Sequence, residues 1–85
     1  VYSKITYMQQ NDDKILRQIG TRIKDLRVQN QKSLNQFAYA SEDLTSATLS
    51  RIENGLVDFK FTTLVKIARA LNMNLSDLFE NFPVE

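Results

Sequence analysis

The stretch 44-LTSATLSRIENG-55 decides how this chain folds. Its large apolar residues Leu49 and Ile52 are three positions apart, and Leu44 lies just before them, so one narrow helix face can be buried. Thr45 is a typical N-cap residue, and Gly55 readily adopts the left-handed conformation in which helices often end. We therefore predict a short amphipathic helix over residues 45–54.

The outer face of this predicted helix carries small or polar side chains, namely Ser46, Ala47, Thr48, Ser50 and Arg51. A helix with such a face is slim enough to enter the major groove of DNA, and arginine can form a bidentate hydrogen bond to guanine. An ordinary exposed face is the alternative, because Ser and Thr also favour the first turn of a helix. In that case Arg51 would simply lie near Glu53 or Asp58.

Length and composition bound the remaining possibilities. Eighty-five residues make one small domain, and 42% hydrophobic with 25% charged residues is typical of a globular protein. The chain has no cysteine and no histidine, so disulfides, thiolate metal sites and the commonest general base are excluded. We expect a protein that is not an enzyme and that has no cofactor and no metal site.

Charge and hydropathy indicate little about a partner. The net charge is +1, although six basic residues between positions 14 and 32 stand against Asp25 alone. Such a run is as often a solvated helix face as a nucleic-acid site. No apolar run approaches the about 20 residues that a membrane span needs, and no signal peptide is recognisable. We therefore expect a soluble, cytoplasmic protein, and because it starts at Val1, a processed chain or part of a longer one.

Apolar periodicity predicts four further helices and no strand core, hence an all-α fold of five helices. Their expected N-caps are Asp12 or Asp13, Ser33, Thr62 and Asn74. The first helix would end near Gln29 and the second near Ser41, with a turn at Glu42-Asp43 and a loop over 56–61. The helical domain would cover 12–82, ending before a tail over 83–85. Residues 1–11 would be an arm or leader: a short strand, a flexible arm, or a segment that orders in a dimer.

Five segments in this order resemble the Cro/cI-like, or XRE, family of phage-repressor helix-turn-helix domains. They are 19-IGTRIKDLR-27, 33-SLNQFA-38, 46-SATLSRIENG-55, 63-TLVKIARAL-71 and 75-LSDLF-79. The resemblance implies a five-helix λ-repressor-like fold and a transcription regulator, usually a homodimer, that binds double-stranded DNA. In this family the third helix lies in the major groove.

The resemblance also implies residue roles. Base contacts would come from Ser46, Ala47, Thr48 and Arg51, and contacts to the DNA backbone from Ser33, Asn35, Thr45, Ser50, Asn54 and Lys60. Arg27 and Glu53 would form a structural ion pair between the first and third helices.

Three departures from the family pattern bear on these roles. Leu34 stands where a phosphate-binding glutamine is common, Glu42-Asp43 fill a turn that usually contains glycine, and Lys32 occupies a commonly apolar position. We expect weaker phosphate positioning unless Asn35 replaces the glutamine. We also expect the corner at Lys32 to be open to solvent.

The expected core consists of Phe37, Leu49, Ile52, Leu64, Ile67, Leu71, Leu78 and Phe79. On the first helix, apolar residues recur at three- and four-residue steps at Ile15, Ile19, Ile23 and Leu26. Of Phe59 and Phe61, one would close the core and the other would join a dimer interface with the fifth helix.

The sequence thus predicts a sequence-specific DNA-binding regulator, a repressor, that reads the groove with residues 45–54. The alternative is a protein-interaction module, an antitoxin or adaptor on the same fold, that binds DNA weakly.

Overall fold

The computed structural model describes residues 2–41 and 44–82, and the side chains of 12–41 and 44–82. These residues form five α-helices and no strand: α1 (Tyr2–Gln29), α2 (Leu34–Ala40), α3 (Ser46–Glu53), α4 (Phe61–Ala70) and α5 (Leu75–Leu78). The predicted all-α, five-helix architecture is confirmed. The turn at Glu42-Asp43 and the tail at 83–85 lie outside the described residues.

Three of the expected N-caps are present. The Ser33 hydroxyl accepts the Gln36 N–H, and the Gln36 side chain accepts the Ser33 N–H in return. Thr45 caps α3 and Asn74 caps α5 in the same way, since the side-chain oxygen of each accepts the backbone N–H three residues later. The predicted helix stop at Gly55 is also confirmed, with a φ of +70°.

Two expected caps are wrong. The helix α1 runs without a break from Tyr2, so Asp12 and Asp13 are helical residues and not caps, and residues 2–11 form helix rather than strand. At α4 the N-cap position is Lys60, which makes no side-chain capping bond, and Thr62 lies inside the first turn. The preceding loop therefore ends one residue earlier than predicted.

A single core joins the helices. Its buried apolar residues include Ile19, Ile23, Leu26, Phe37, Leu49, Ile52, Leu64, Ile67, Leu71 and Leu78. Phe79 was expected in this core but is 37% exposed and packs edge-to-face on Phe82. Ile15 is 49% exposed because it lies one turn outside the buried stripe. Phe59 packs against the core, whereas Phe61 is 67% exposed.

The helices α1 and α3 approach closely at Gly20. A Cβ added there would meet the carbonyl oxygen of Ile52 and would lie 2.6 Å from the carbonyl oxygen of Glu53. Only a residue without a side chain allows this approach. At Gly55 a Cβ would lie 2.6 Å from Arg17 Cγ, and the positive φ disfavours other residues as well. Both glycines of the chain therefore allow the close packing of the α3 end of the chain on α1.

An ion pair fixes the end of α3 on α1. Arg27 donates from Nε to Glu53 Oε2 at 2.7 Å and from Nη2 to Glu53 Oε1 at 3.0 Å, with the two side chains 11% and 3% exposed. The hydrogen bond to Glu53 raises the pKa of Arg27. The third guanidinium nitrogen of Arg27, Nη1, donates to the Lys32 carbonyl oxygen at 2.8 Å. The structure thus contains the pair that the family resemblance implied.

The corner at Lys32 is not open, contrary to expectation. Lys32 Nζ donates to the Ala70 carbonyl oxygen at 2.8 Å, at the C-terminal end of α4. An ammonium group there is favourable because the last carbonyls of a helix carry partial negative charge.

Among the described residues, no helix is both long and apolar enough to span a bilayer.

Replacing Gly20 by alanine tests the close approach. We expect Gly20→Ala to lower the free energy of unfolding by about 3 kcal/mol, because backbone of α3 must move to admit the methyl group. Urea unfolding followed by circular dichroism measures this. The neighbouring exposed substitution Thr21→Ala is the control and should change stability by less than about 0.5 kcal/mol. Equal stability of both variants would contradict the close approach.

A double-mutant cycle tests the ion pair. Glu53→Ala should cost about 3–5 kcal/mol of unfolding free energy, because it leaves the mostly buried guanidinium of Arg27 unpaired. The double variant Arg27→Ala/Glu53→Ala should lose clearly less than the sum of the two single variants. Glu80→Ala, which removes an exposed carboxylate, is the matched control. Strictly additive losses would show that the two side chains do not interact.

Candidate nucleic-acid interface

The inner face of α3 is buried, and its outer face is accessible. Leu49 and Ile52 are almost completely buried, which anchors the helix in the core. On the other side Ala47 and Arg51 are exposed, and Ser46, Thr48 and Ser50 are half-buried. All four residues that are expected to contact bases, namely Ser46, Ala47, Thr48 and Arg51, are therefore accessible on α3. Three of these side chains are small and the fourth is an arginine.

The N-terminal end of α3 is held by Thr45. Its hydroxyl oxygen accepts the Thr48 N–H at 3.1 Å and is hydrogen-bonded to the Thr48 hydroxyl at 3.0 Å. Thr45 itself is exposed. The capping role that the sequence predicts is thus present.

An open groove of about 500 Å³ runs between α3 and the start of α4. It brings together Thr48, Arg51 and Lys60, three of the residues expected to contact DNA. The wall is completed by Leu44, Ile52, Val57, Asp58, Phe59, Thr62, Thr63 and Lys66. Three basic side chains against one carboxylate make this groove electropositive, which suits a phosphate backbone.

Sequence reasoning missed three of these residues. Thr62 was expected to be a cap, and neither Thr63 nor Lys66 was assigned a role, yet all three line the groove. Spacing gave no signal for Lys66, because positions six residues apart lie about 240° apart around a helix axis and therefore do not share a face with Lys60.

The start of α2 carries the other expected backbone contacts. Ser33 and Asn35 are exposed, whereas Leu34 is half-buried and packs against the core. Leu34 therefore does not take the place of a phosphate-binding glutamine. The Gln36 side chain is engaged in the capping box with Ser33. The capping box uses only the oxygen of the Gln36 amide, so Asn35 and Gln36 Nε2 are the amide groups at this end of α2 that can face a phosphate.

The end of α3 carries Asn54. Its Nδ2 donates to the Ser50 carbonyl oxygen at 2.8 Å and lies 3.5 Å from the Ser50 hydroxyl. One amide hydrogen is thus used inside the helix, and the other is left for an acceptor outside it. The Asn54 side chain is therefore held against Ser50.

A second groove, about 690 Å³, lies elsewhere on the molecule, between α1 and residues 80–82. Its wall includes Lys14, Arg17 and Arg22 but also Asp25 and Glu80, and none of the residues expected to contact DNA borders it. Its mixed charge does not suit a phosphate backbone.

Within the described ranges, no group of histidine, cysteine, aspartate and glutamate residues could hold a metal ion.

Comparison with models of known protein families gives a match. The profile of the Helix-turn-helix family matches residues 23–78, from the second half of α1 to the end of α5. The match spans both helices of the motif, α2 and α3, with the α4 segment that borders the groove. Neither the search of curated proteins nor that of solved structures finds a match. The chain belongs to the helix-turn-helix family of XRE, or Cro/cI-like, domains, has their λ-repressor-like all-α fold, and is a DNA-binding protein of the transcription-regulator type.

Proposed function

We propose that this protein is a sequence-specific repressor of transcription that binds double-stranded DNA as a homodimer, in the cytoplasm and without enzymatic activity. In this proposal α3 lies in the major groove, and Ser46, Ala47, Thr48 and Arg51 contact base edges. Its central support is the exposed Arg51 on a face of small side chains, because such a face admits close contact with base pairs.

The DNA backbone would be bound on both sides of α3. On one side the groove between α3 and α4 offers Lys60 and, beyond the sequence prediction, Lys66 with the Thr62 and Thr63 hydroxyls. On the other side lie Ser33, Asn35 and Thr45, while Ser50 and Asn54 follow along α3. Phosphate contacts of this kind determine affinity and its salt dependence, whereas base contacts determine the preferred sequence.

Arg51 should set one position of the preferred site. We expect Arg51→Ala to weaken binding to that site by about 1–3 kcal/mol and to relax the choice of base at one position per half-site. Selection from a random duplex library, performed with both proteins at several salt concentrations, measures the effect. Lys24→Ala is the control, because it removes an exposed charge of α1 that borders neither groove.

The control should keep the site preference of the wild-type protein. An unchanged preference in Arg51→Ala would contradict base reading by α3. Weak binding that falls steeply with salt and ignores sequence, in the wild type as well, would instead favour the adaptor or antitoxin alternative.

The homodimer is supported by two exposed apolar side chains, one in the loop before α4 and one at the first residue of α4. Phe61 and Leu56 are 67% and 71% exposed, which is costly for large apolar side chains in water. A two-fold dimer would place two copies of α3 about 34 Å apart, one turn of the duplex. One domain contacts few base pairs, so the second copy supplies the rest of the specificity.

Replacing Phe61 tests this surface. We expect Phe61→Glu to weaken dimerisation and to reduce affinity for a palindromic site by at least about tenfold, while helix α4 is retained because a carboxylate suits the first turn. Sedimentation velocity and binding to palindromic and half-site duplexes measure both effects. Tyr39→Glu, at an aromatic residue that is 92% exposed, is the matched control. Equal dimerisation of the two variants would place the interface elsewhere.

A further inference from the structure

The end of α3 carries an asparagine that is followed by glycine. Of the seven asparagines in the chain, only Asn54 has this neighbour. Such a pair is prone to deamidation, because the backbone nitrogen of the glycine is unhindered by a side chain and can attack the Cγ of the asparagine. Asn54 is exposed, so water has access to its side chain. The pair Asn54-Gly55 is therefore a candidate site of covalent modification beside the reading face of α3.

The reaction at such a pair has two steps. In the first, a bond forms between the Gly55 nitrogen and Asn54 Cγ, the bond from Cγ to Nδ2 breaks, and the side-chain nitrogen leaves as ammonia with the hydrogen of the Gly55 N–H. In the second, water opens the resulting succinimide ring at one of its two carbonyl groups. The product is aspartate or isoaspartate, and no oxidant or reductant is needed.

The backbone at the end of α3 opposes the first step. The succinimide ring closes only when the Asn54 Cβ and the Gly55 nitrogen eclipse each other across the Cα–C bond of Asn54. In the structure Asn54 has a ψ of 3°, at which the Gly55 nitrogen instead eclipses the backbone nitrogen of Asn54. The attacking atom is thus turned away from Cγ, and the backbone must rotate before the ring can form.

Hydrogen bonds and packing hold this conformation. The Gly55 N–H donates to the Ile52 carbonyl oxygen at 3.1 Å, and Asn54 Nδ2 donates to the Ser50 carbonyl oxygen at 2.8 Å. Gly55 is itself buried and lies against Arg17 of α1. Rotation of the backbone at Asn54 would break the first of these bonds, and movement of the side chain toward Gly55 would break the second. The last turn of α3 must therefore open before Asn54 can react.

We propose that Asn54-Gly55 is a deamidation site that reacts only when the last turn of α3 opens, and that its conversion weakens DNA binding. The first part is independent of the proposed function, whereas the second rests on it. A carboxylate at position 54 cannot donate to the Ser50 carbonyl oxygen, and it places negative charge beside the last carbonyls of α3 and beside a DNA phosphate. Isoaspartate also adds a methylene group to the main chain. Opening of this turn is thereby converted into a lasting loss of affinity.

The rate of deamidation tests the first part. The full chain is incubated at mildly alkaline pH in buffer and in urea that unfolds it, and peptide mapping by mass spectrometry measures aspartate and isoaspartate at position 54. The rate in buffer should equal the unfolded rate multiplied by the open fraction, so we expect it to be at least about tenfold lower. Asn74, which is followed by leucine, is the internal control and should react more slowly than Asn54 in urea.

Arg27→Ala tests whether opening is the cause. It removes the partner of Glu53 without changing the sequence near Asn54, so the rate in urea should match that of the wild type while the rate in buffer rises. A variant that does not fold would react in buffer as fast as in urea. Lys24→Ala, an exposed change on α1, should react like the wild type. The inference is overturned if the folded wild type reacts as fast as the unfolded chain. It is also overturned if Arg27→Ala, found less stable by circular dichroism, reacts no faster in buffer.

Asn54→Asp tests the second part, since it places the reaction product in the intact chain. We expect it to bind the selected duplex about 3- to 10-fold more weakly than the wild type. Asn72→Asp is the matched control, because it makes the same change at an exposed asparagine that borders neither groove. Equal affinity of the two variants would overturn the effect on DNA binding. A site preference that depends on Arg51 would then leave the proposed function intact, whereas wild-type binding that ignores sequence would overturn the proposed function and leave the rate comparison valid.

Discussion

The seating of α3 against α1 is the constraint on which the rest of the structure depends. Gly20 lets the two backbones touch, and the ion pair between Arg27 and Glu53 fixes the last turn of α3 at this short distance. Because both side chains of the pair are largely buried, either partner alone would leave an uncompensated charge inside the protein. Contacts on the buried face of α3 thereby define its orientation.

This arrangement leaves the outer side of α3 available for function. Its residues have no part in the core, so they can be small and polar, and an arginine can extend from them without loss of stability. Arg27 also binds the Lys32 carbonyl oxygen, and Lys32 Nζ binds the end of α4. The same network therefore links α1, α3 and α4, the last two of which form the walls of the electropositive groove.

Much of the fold follows from local sequence signals. Apolar spacing predicted five helices, and side-chain caps located the starts of α2, α3 and α5, since each depends on residues only a few positions apart. The signals failed where nothing local marked the boundary. Two aspartates resemble a cap but lie within a continuous α1, and α4 begins at Phe61 without a capping side chain. The role of Lys32 depends on Ala70, which is distant in the sequence.

The candidate interface was predictable in part for the same reason. The face of α3 follows from helical periodicity, and its residues are accessible as expected. The contributions of Thr62, Thr63 and Lys66 to the groove depend on how α4 packs beside α3, which sequence spacing does not specify. The link between Thr45 and Thr48 is a matter of hydroxyl geometry and could be found only with side chains in place.

Titration of the isotopically labelled protein with its selected duplex, followed by NMR, tests the central claim most directly. Our account predicts that backbone amide shifts change most in residues 45–51 and 60–66 and at the start of α2, while the α1 groove at Lys14, Arg22 and Glu80 changes little. Large changes confined to that α1 groove, with α3 unaffected, would contradict DNA recognition by α3.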